Sequence, residues 1–429
     1  MFALMVALMA VPTGAGALPG RADVSFGKAG LAVVAFDQAS IASRIAVQSD
    51  GKVVVGGNAV APPNHSGSFF ARPWMVARLD ASGRPDPSFG TGGKLSFQPS
   101  IGMDLWQDLR DIAIDAQKRI LLCGLAYRDG ARGIAVARVT RQGTVDPAFG
   151  TEGVAMLPSD VLRGVVSGSA TATTCAAQSD GKVIVAGTFL AGATVDEIGF
   201  EATTSSFVIA RLTADGTFDP TFGNGGVVPL VTSEASWKDG GGGDVLVQAD
   251  DRIVAGGLLN GDLLIARLAR DGALDAGFGS GGITTTALTN PAAITSLALQ
   301  SDGKIVAGGV MDQGPHVNSS VVARYLSNGQ IDRSFGGTGV VLVARGRGAA
   351  FNPRRETIVI QRDRTIVRSD GVSIARLLAN GRADTRFPVA RTTSVLTSDF
   401  NDVAVQPNGR ILTATGTTYR AAVKGFLAT

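Results

Sequence analysis

Histidine is nearly missing from these 429 residues, which hold only His65 and His316 and only two cysteines, Cys123 and Cys175. No Ser–His–acid set and no zinc-ligand spacing can be assembled from so few. The glycine run from Gly240 to Gly243 follows no strand-to-helix pattern, so a phosphate-cradling loop is excluded too. Charged residues make up 17% and the formal net charge is +3, without interleaved basic and aromatic stripes, which argues against nucleic acid. Long helical periods are absent. What remains is rich in glycine (57 residues) and 45% hydrophobic, the balance of a turn-rich all-β core.

Three phrases repeat in the same order throughout. The first is typified by LALQSDGKIVAGG (Leu297 to Gly309), the second by VVARYLSNG (Val321 to Gly329) and the third by QIDRSFGGTG (Gln330 to Gly339). The third places an aromatic at Phe26, Phe89, Phe149, Phe222, Phe278, Phe335 and Phe387, a step of about 60 residues. The second places an arginine at Arg78, Arg138, Arg211, Arg267, Arg324 and Arg376, with Lys424 in a degenerate seventh copy. The first reads as strands A and B around an Asp-Gly turn, as at Asp50-Gly51, where a two-residue hairpin with positive φ at both positions is expected. Strand C is typified by WMVARL (Trp74 to Leu79) and strand D by KLSF (Lys94 to Phe97). Four short strands per repeat and seven repeats predict a seven-bladed β-propeller of four-stranded antiparallel blades.

Residues 1–17 stand outside the repeat. Phe2 to Val11 is apolar and Ala15-Gly16-Ala17 fits a small-residue cleavage site, so a secretory signal peptide is expected despite the missing basic n-region. The run is shorter than the roughly twenty residues needed to span a bilayer, and no transmembrane segment is expected after cleavage. Residues 18–429 then read as one propeller domain, exported to the periplasm or beyond. It opens in mid-phrase with a D strand, Leu31 to Phe36, and ends with A and B strands (Val403 to Thr415) and a frayed C strand (Ala422 to Leu427). Pairing the first strand with the last three closes the ring and removes exposed edges.

The phrases QSDGKIVAGG, ARLTADGTFDPTFGNGG (Ala210 to Gly226) and ARLDASGRPDPSFGTGG (Ala77 to Gly93) resemble the delta-60 repeat, a bacterial β-propeller repeat often described as a domain of unknown function. The resemblance covers essentially everything after Arg21. It implies fold and a mostly exported setting, and it brings no catalytic residues. Departures lie in blade 6, where Arg364 replaces the turn glycine, and in the last C strand.

The seven repeated acids, Asp23, Asp86, Asp146, Asp219, Asp275, Asp332 and Asp384, suggest metal sites at first glance. A residue needed in every blade is more simply a turn acceptor paired with the arginine upstream. The phenylalanines are expected in the core. Cys123 and Cys175 read as buried small apolar residues, and an oxidising compartment would also permit a disulfide between them.

Variation falls on the face that carries the B–C and D–A connections. Long ones run from Asn58 to Pro73, Gln98 to Arg110, Thr188 to Ser206 and Thr232 to Gly243. Trp74, Trp106 and Trp237 lie in or beside them, among several acids, and could either stack on a sugar ring or cover the ends of their own blades. At the entrance of strand A, nearest the channel mouth, the positions read Arg44, Asp111, Thr174, Asp244, Ser296, Thr357 and Asp402. These either satisfy backbone N–H groups at the strand start or line a ring in which Asp111, Asp244 and Asp402 hold water or a cation.

The preferred expectation is a non-catalytic exported propeller, monomeric and without cofactor, that binds a protein or glycan on its variable face. A hydrolase or lyase using acids near the channel mouth and a purely structural envelope protein are the alternatives.

Overall fold

Alternating small and β-branched residues between glycine-marked turns give each repeat its short strands, and the channel end of each blade is set by where those turns fall. The computed structural model describes residues 20–59, 72–99, 107–128, 131–158, 169–191, 194–196, 199–201, 204–234, 243–313, 318–344, 356–371, 373–387, 390–391, 402–417 and 420–427. The expected signal peptide and cleavage site lie outside these residues. Seven four-stranded antiparallel sheets form the blades of a propeller, each with strand A innermost and strand D outermost. In blade 1 the strands are Ser40–Val47, Val53–Ala59, Trp74–Leu79 and Lys94–Phe97.

Blade 7 is shared between the two ends of the chain. Leu31–Val34 pairs with Arg420–Phe426, which pairs with Ile411–Thr417 and then Asp402–Val405. The last C strand is not frayed as expected. It is a seven-residue strand hydrogen-bonded on both sides, and Gly20 N–H to Leu427 O (3.0 Å) extends the join.

The A–B turns depart from the two-residue hairpin expected. At the blade 1 turn, Gln48 N–H donates to Lys52 O and Gly51 N–H to Gln48 O, and only Gly51 has positive φ (83°). That is a three-residue loop, a type I turn with one left-handed residue after it. One left-handed position tolerates more residues than two. Lys118, Asp251 and Arg364 occupy it at φ of 60°, 63° and 67°. The two-residue turn occurs instead at Asn260-Gly261, with φ of 52° and 92°, joining strands B and C of blade 4.

Between neighbouring blades lie apolar clusters fed by the repeated phenylalanines, all at most 3% exposed. Trp74 is fully buried in one of them, edge-on to Phe97 at 6.2 Å, so it offers no ring to a ligand. Cys123 and Cys175, from strand B of blade 2 and strand A of blade 3, form a disulfide within the same kind of cluster. Being apolar in surroundings and bonded to each other are compatible here.

Candidate functional site

Two rings of polar residues encircle the axis, one on the turn face and one at the channel mouth. On the turn face each strand-C arginine reaches the repeated acid, as expected. Arg78 Nε donates to Asp86 Oδ2 at 2.8 Å, its Nη1 donates to Arg141 O of the next blade at 2.7 Å, and its guanidinium lies 4.8 Å from the centre of the Phe89 ring. The same Arg–Asp pairing recurs at Arg138–Asp146, Arg211–Asp219, Arg267–Asp275, Arg324–Asp332 and Arg376–Asp384. Asp86 Oδ1 accepts the Ser88 N–H and hydroxyl, so the acid also closes its own turn. Burial pushes the Asp86 carboxyl up, but Lys52, Ser88 and Arg78 outweigh it and hold it far below the usual carboxylate range.

The seventh joint is made differently from the expectation. Lys424 does not supply its cation. Arg410, at the start of strand B, reaches in from another position, donating to Asp23 Oδ2 (2.6 Å) and Ala81 O (2.9 Å) over Phe26. Its longer, forked head spans a gap left by a strand-C residue whose amine lies instead near Phe426.

At the channel mouth the predicted ring is assembled, with Asp244, Thr357 and Asp402 opening strand A as expected and Arg44, Asp111, Thr174 and Ser296 lying inside it. In blades 1, 2 and 5, strand A begins several residues earlier and a β-bulge directly precedes Arg44, Asp111 and Ser296. The bulge turns these side chains along the ring. Each then bonds the following blade. Asp402 Oδ2 accepts Ile45 N–H (3.1 Å), Asp111 Oδ2 accepts Cys175 N–H (3.0 Å), Asp244 Oδ2 accepts Leu297 N–H (2.7 Å), and Ser296 Oγ accepts Ile358 N–H (3.1 Å). Arg44 Nε donates to Arg110 O, and Thr357 hydrogen-bonds Asp402. The backbone-satisfying role therefore holds and extends further: Asp244 and Asp402 accept the N–H of the next residue, Val245 and Val403, through one oxygen and a neighbouring blade's N–H through the other.

Thr174 sits between two acids, with its Oγ1 2.8 Å from both Asp111 Oδ2 and Asp244 Oδ1. A hydroxyl has one hydrogen to donate. The second short contact is a hydrogen bond only when the other carboxyl carries a proton. Of the two, Asp244 holds a proton more readily, because burial and the charge of Asp111 push its carboxyl up to about 7. Asp111 is also raised by burial, against the pull of Arg44 and the bonds from Cys175 N–H and Thr174. Asp402 is raised by burial as well, opposed by Arg44 and the N–H groups of Ile45 and Val403. Among the described residues, no group of three or more His, Cys, Asp or Glu is placed to hold a metal ion. Trp106 and Trp237 lie outside the described residues.

Sequence reading missed three features. Gln48, Gln178, Gln300, Gln361 and Gln406 each donate through Nε2 to a backbone carbonyl in the next blade's A–B turn, a third set of latches signalled by the Gln that recurs two residues before the turn's Asp or Asn. A fully buried pair, Glu356 and Arg368, is bridged by Ser320 from blade 5 and extended to Asp370. Its signal was Arg368 itself, where blades 4 and 5 have Ala255 and Ala307. The third is a two-stranded hairpin, Thr194–Asp196 with Gly199–Glu201, inserted in the B–C connection of blade 3.

A family profile described as a domain of unknown function (DUF5122) β-propeller matches residues 118–149, 178–222, 248–278 and 300–335. No curated protein matches the chain. Solved structures similar in arrangement include the Pan2 WD40 domain of Neurospora crassa, at 13% identity over 90% of this chain and 89% of that one, with a TM-score of 0.47. A gluconolactonase from Xanthomonas campestris is similar at 10% identity over 92% of this chain and all of that one, TM-score 0.38. At such low identity neither likeness bears on what this chain does.

Proposed function

We propose that this chain, four segments of which match the DUF5122 β-propeller family, is an exported, non-catalytic bacterial scaffold that binds a protein or glycan on its B–C and D–A face. The observation carrying this reading is the hairpin formed by Thr194–Asp196 and Gly199–Glu201, which adds structure to the variable face of one blade while the turn face repeats one Arg–Asp joint six times and closes with Arg410 at the seventh. Loops on a rigid frame are where recognition concentrates. The mouth acids support a non-catalytic role, since Asp111, Asp244 and Asp402 are engaged by backbone N–H groups of neighbouring blades. The disulfide supports an oxidising compartment.

The test replaces residues 190–205 by the Asn-Gly turn of blade 4 and compares both proteins on a glycan array and in capture from envelope extract. Loss of a specific partner at unchanged melting temperature supports the reading. A wild-type protein that retains neither glycan nor protein would favour the purely structural alternative.

A further inference from the structure

The modest net charge hides a strong local asymmetry. From Arg333 to Arg391 the chain holds twelve arginines, no lysine and four acids, a formal +8, while the remaining residues hold 27 basic and 32 acidic side chains, a formal −5. Three of those four acids are buried and neutralise buried arginines: Glu356 and Asp370 face Arg368, and Asp384 faces Arg376. Of the other ten arginines, five have described side chains and all five are exposed. Arg333, Arg362, Arg364, Arg382 and Arg386 are all exposed on the turn face of blades 5 and 6. Arg364 pairs with Asp302 at 3.1 Å and Arg386 with Asp384 at 3.4 Å, and Asp363 is the one exposed acid of the segment among the described residues.

Blade architecture does not require these arginines. At the position of Arg362 the other blades have Ser49, Ala116, Ser179, Ala249, Ser301 and Pro407. Arg333 stands where Pro87, Pro147 and Pro220 stand in blades 1 to 3. Arg333 also borders a cleft of about 650 Å³ between blades 4 and 5, walled by Ser280, Thr284, Thr285 and Gln330 and by the apolar side chains of Ile283 and Ile331. Thr284 Oγ1 is buried there without a protein partner. Arg382 occupies in blade 6 the repeat position that Gln330 holds in blade 5. Blades 5 and 6 thus each add turn-face guanidinium groups, at different repeat positions.

We propose that the turn face of blades 5 and 6 binds an acidic polysaccharide, with a carboxylate-bearing sugar seated in the cleft beside Arg333 and further acidic units meeting Arg362 and Arg382. Guanidinium groups match carboxylates as planar, forked donors. The hydroxyl and amide groups of the cleft suit a polyol, and Ile283 and Ile331 suit the apolar face of a sugar ring. A nucleic acid is disfavoured because Phe335 and Phe387, the described aromatics of the segment, are buried and cannot stack on bases. This surface lies opposite the one proposed above, so the two stand or fall separately.

The probe is polygalacturonate, titrated into the full mature protein at about 50 mM salt, where surface charges are little screened. Neutral dextran, a short oligodeoxynucleotide and phosphatidylglycerol vesicles are run alongside. Binding of polygalacturonate alone is expected, with affinity falling about tenfold in the triple variant Arg333→Gln, Arg362→Gln, Arg382→Gln. Arg84→Gln with Arg141→Gln, on the same face of blades 1 and 2, should leave it unchanged. Melting temperatures check folding, and Arg333→Gln alone, a single surface change, should weaken binding about threefold. The proposal is overturned if polygalacturonate does not bind, if the triple variant binds as well as wild type, or if the oligonucleotide or the vesicles bind more tightly.

Discussion

Asp86 and Asp244 are the same functional group in the same repeat architecture, and their surroundings drive them in opposite directions. Asp86 sits in a turn with two cations and a serine directed at it, and it remains ionised far into acid. Asp244 sits on the innermost strand, where the charge facing it is that of Asp111 and its donors are mostly backbone N–H groups. The turn-face joint can be made in every blade, six times with the strand-C arginine and once with Arg410, because each carboxylate has its own cation. The mouth ring cannot be copied so, since identical acids would repel around a narrow circle. It alternates instead, with hydroxyl residues and Arg44 between the three acids.

Removing one turn-face joint entirely should have the largest effect. Deleting residues 20–34 takes away the outer strand of blade 7, buried Phe26 and the Asp23–Arg410 pair. Loss of their apolar area and ladder bonds should cost about 5 kcal/mol or more in a thermal or denaturant melt. Unchanged stability would refute closure by the first strand. Next comes Arg368→Ala, which takes the Arg368 guanidinium from buried Glu356 and should cost about 3–5 kcal/mol.

Asp219→Ala should cost about 1–3 kcal/mol at neutral pH, with no change in ligand binding. The sign of its pH dependence follows from a folded-state pKa held below the unfolded one. The contribution is complete above about pH 4 and lost as pH falls through the folded value, so wild type and variant should converge in strong acid. The smallest effect is expected from calcium. Millimolar calcium should not raise the melting temperature, because the mouth acids already accept neighbouring N–H groups. A clear upward shift would restore the cation reading.

The turn-face ring was legible in the sequence because its three residues recur at fixed offsets, which also made the fold and its closure readable. Arg410 was not legible as the seventh arginine, since it comes from a different strand and only the folded blade shows that its head reaches Asp23. The positions of the mouth ring could be read off, but its partners could not. The hydrogen bond from Ile45 N–H to Asp402 crosses most of the chain length and follows a bulge that no local pattern announces. Trp74 illustrates a related limit: a tryptophan beside a long loop reads equally well as exposed or as a cap, and packing against Phe97 decides for the core.

The central claim is that the mouth ring clasps the blades through a proton held at Asp244. The most direct measurement compares the stability of wild type with that of Asp244→Asn between about pH 4 and pH 8. Asparagine keeps an acceptor for Leu297 N–H and a donor for Thr174, loses the acceptor for Val245 N–H at a cost that does not vary with pH, and cannot ionise. Because the folded-state pKa of Asp244 is raised to about 7, the folded wild type retains a proton that the unfolded chain has already lost. Wild-type stability relative to the variant should therefore fall steadily as pH rises from about 4 to about 7, and level off above that. A difference between the two proteins that stays constant across this range would contradict the account.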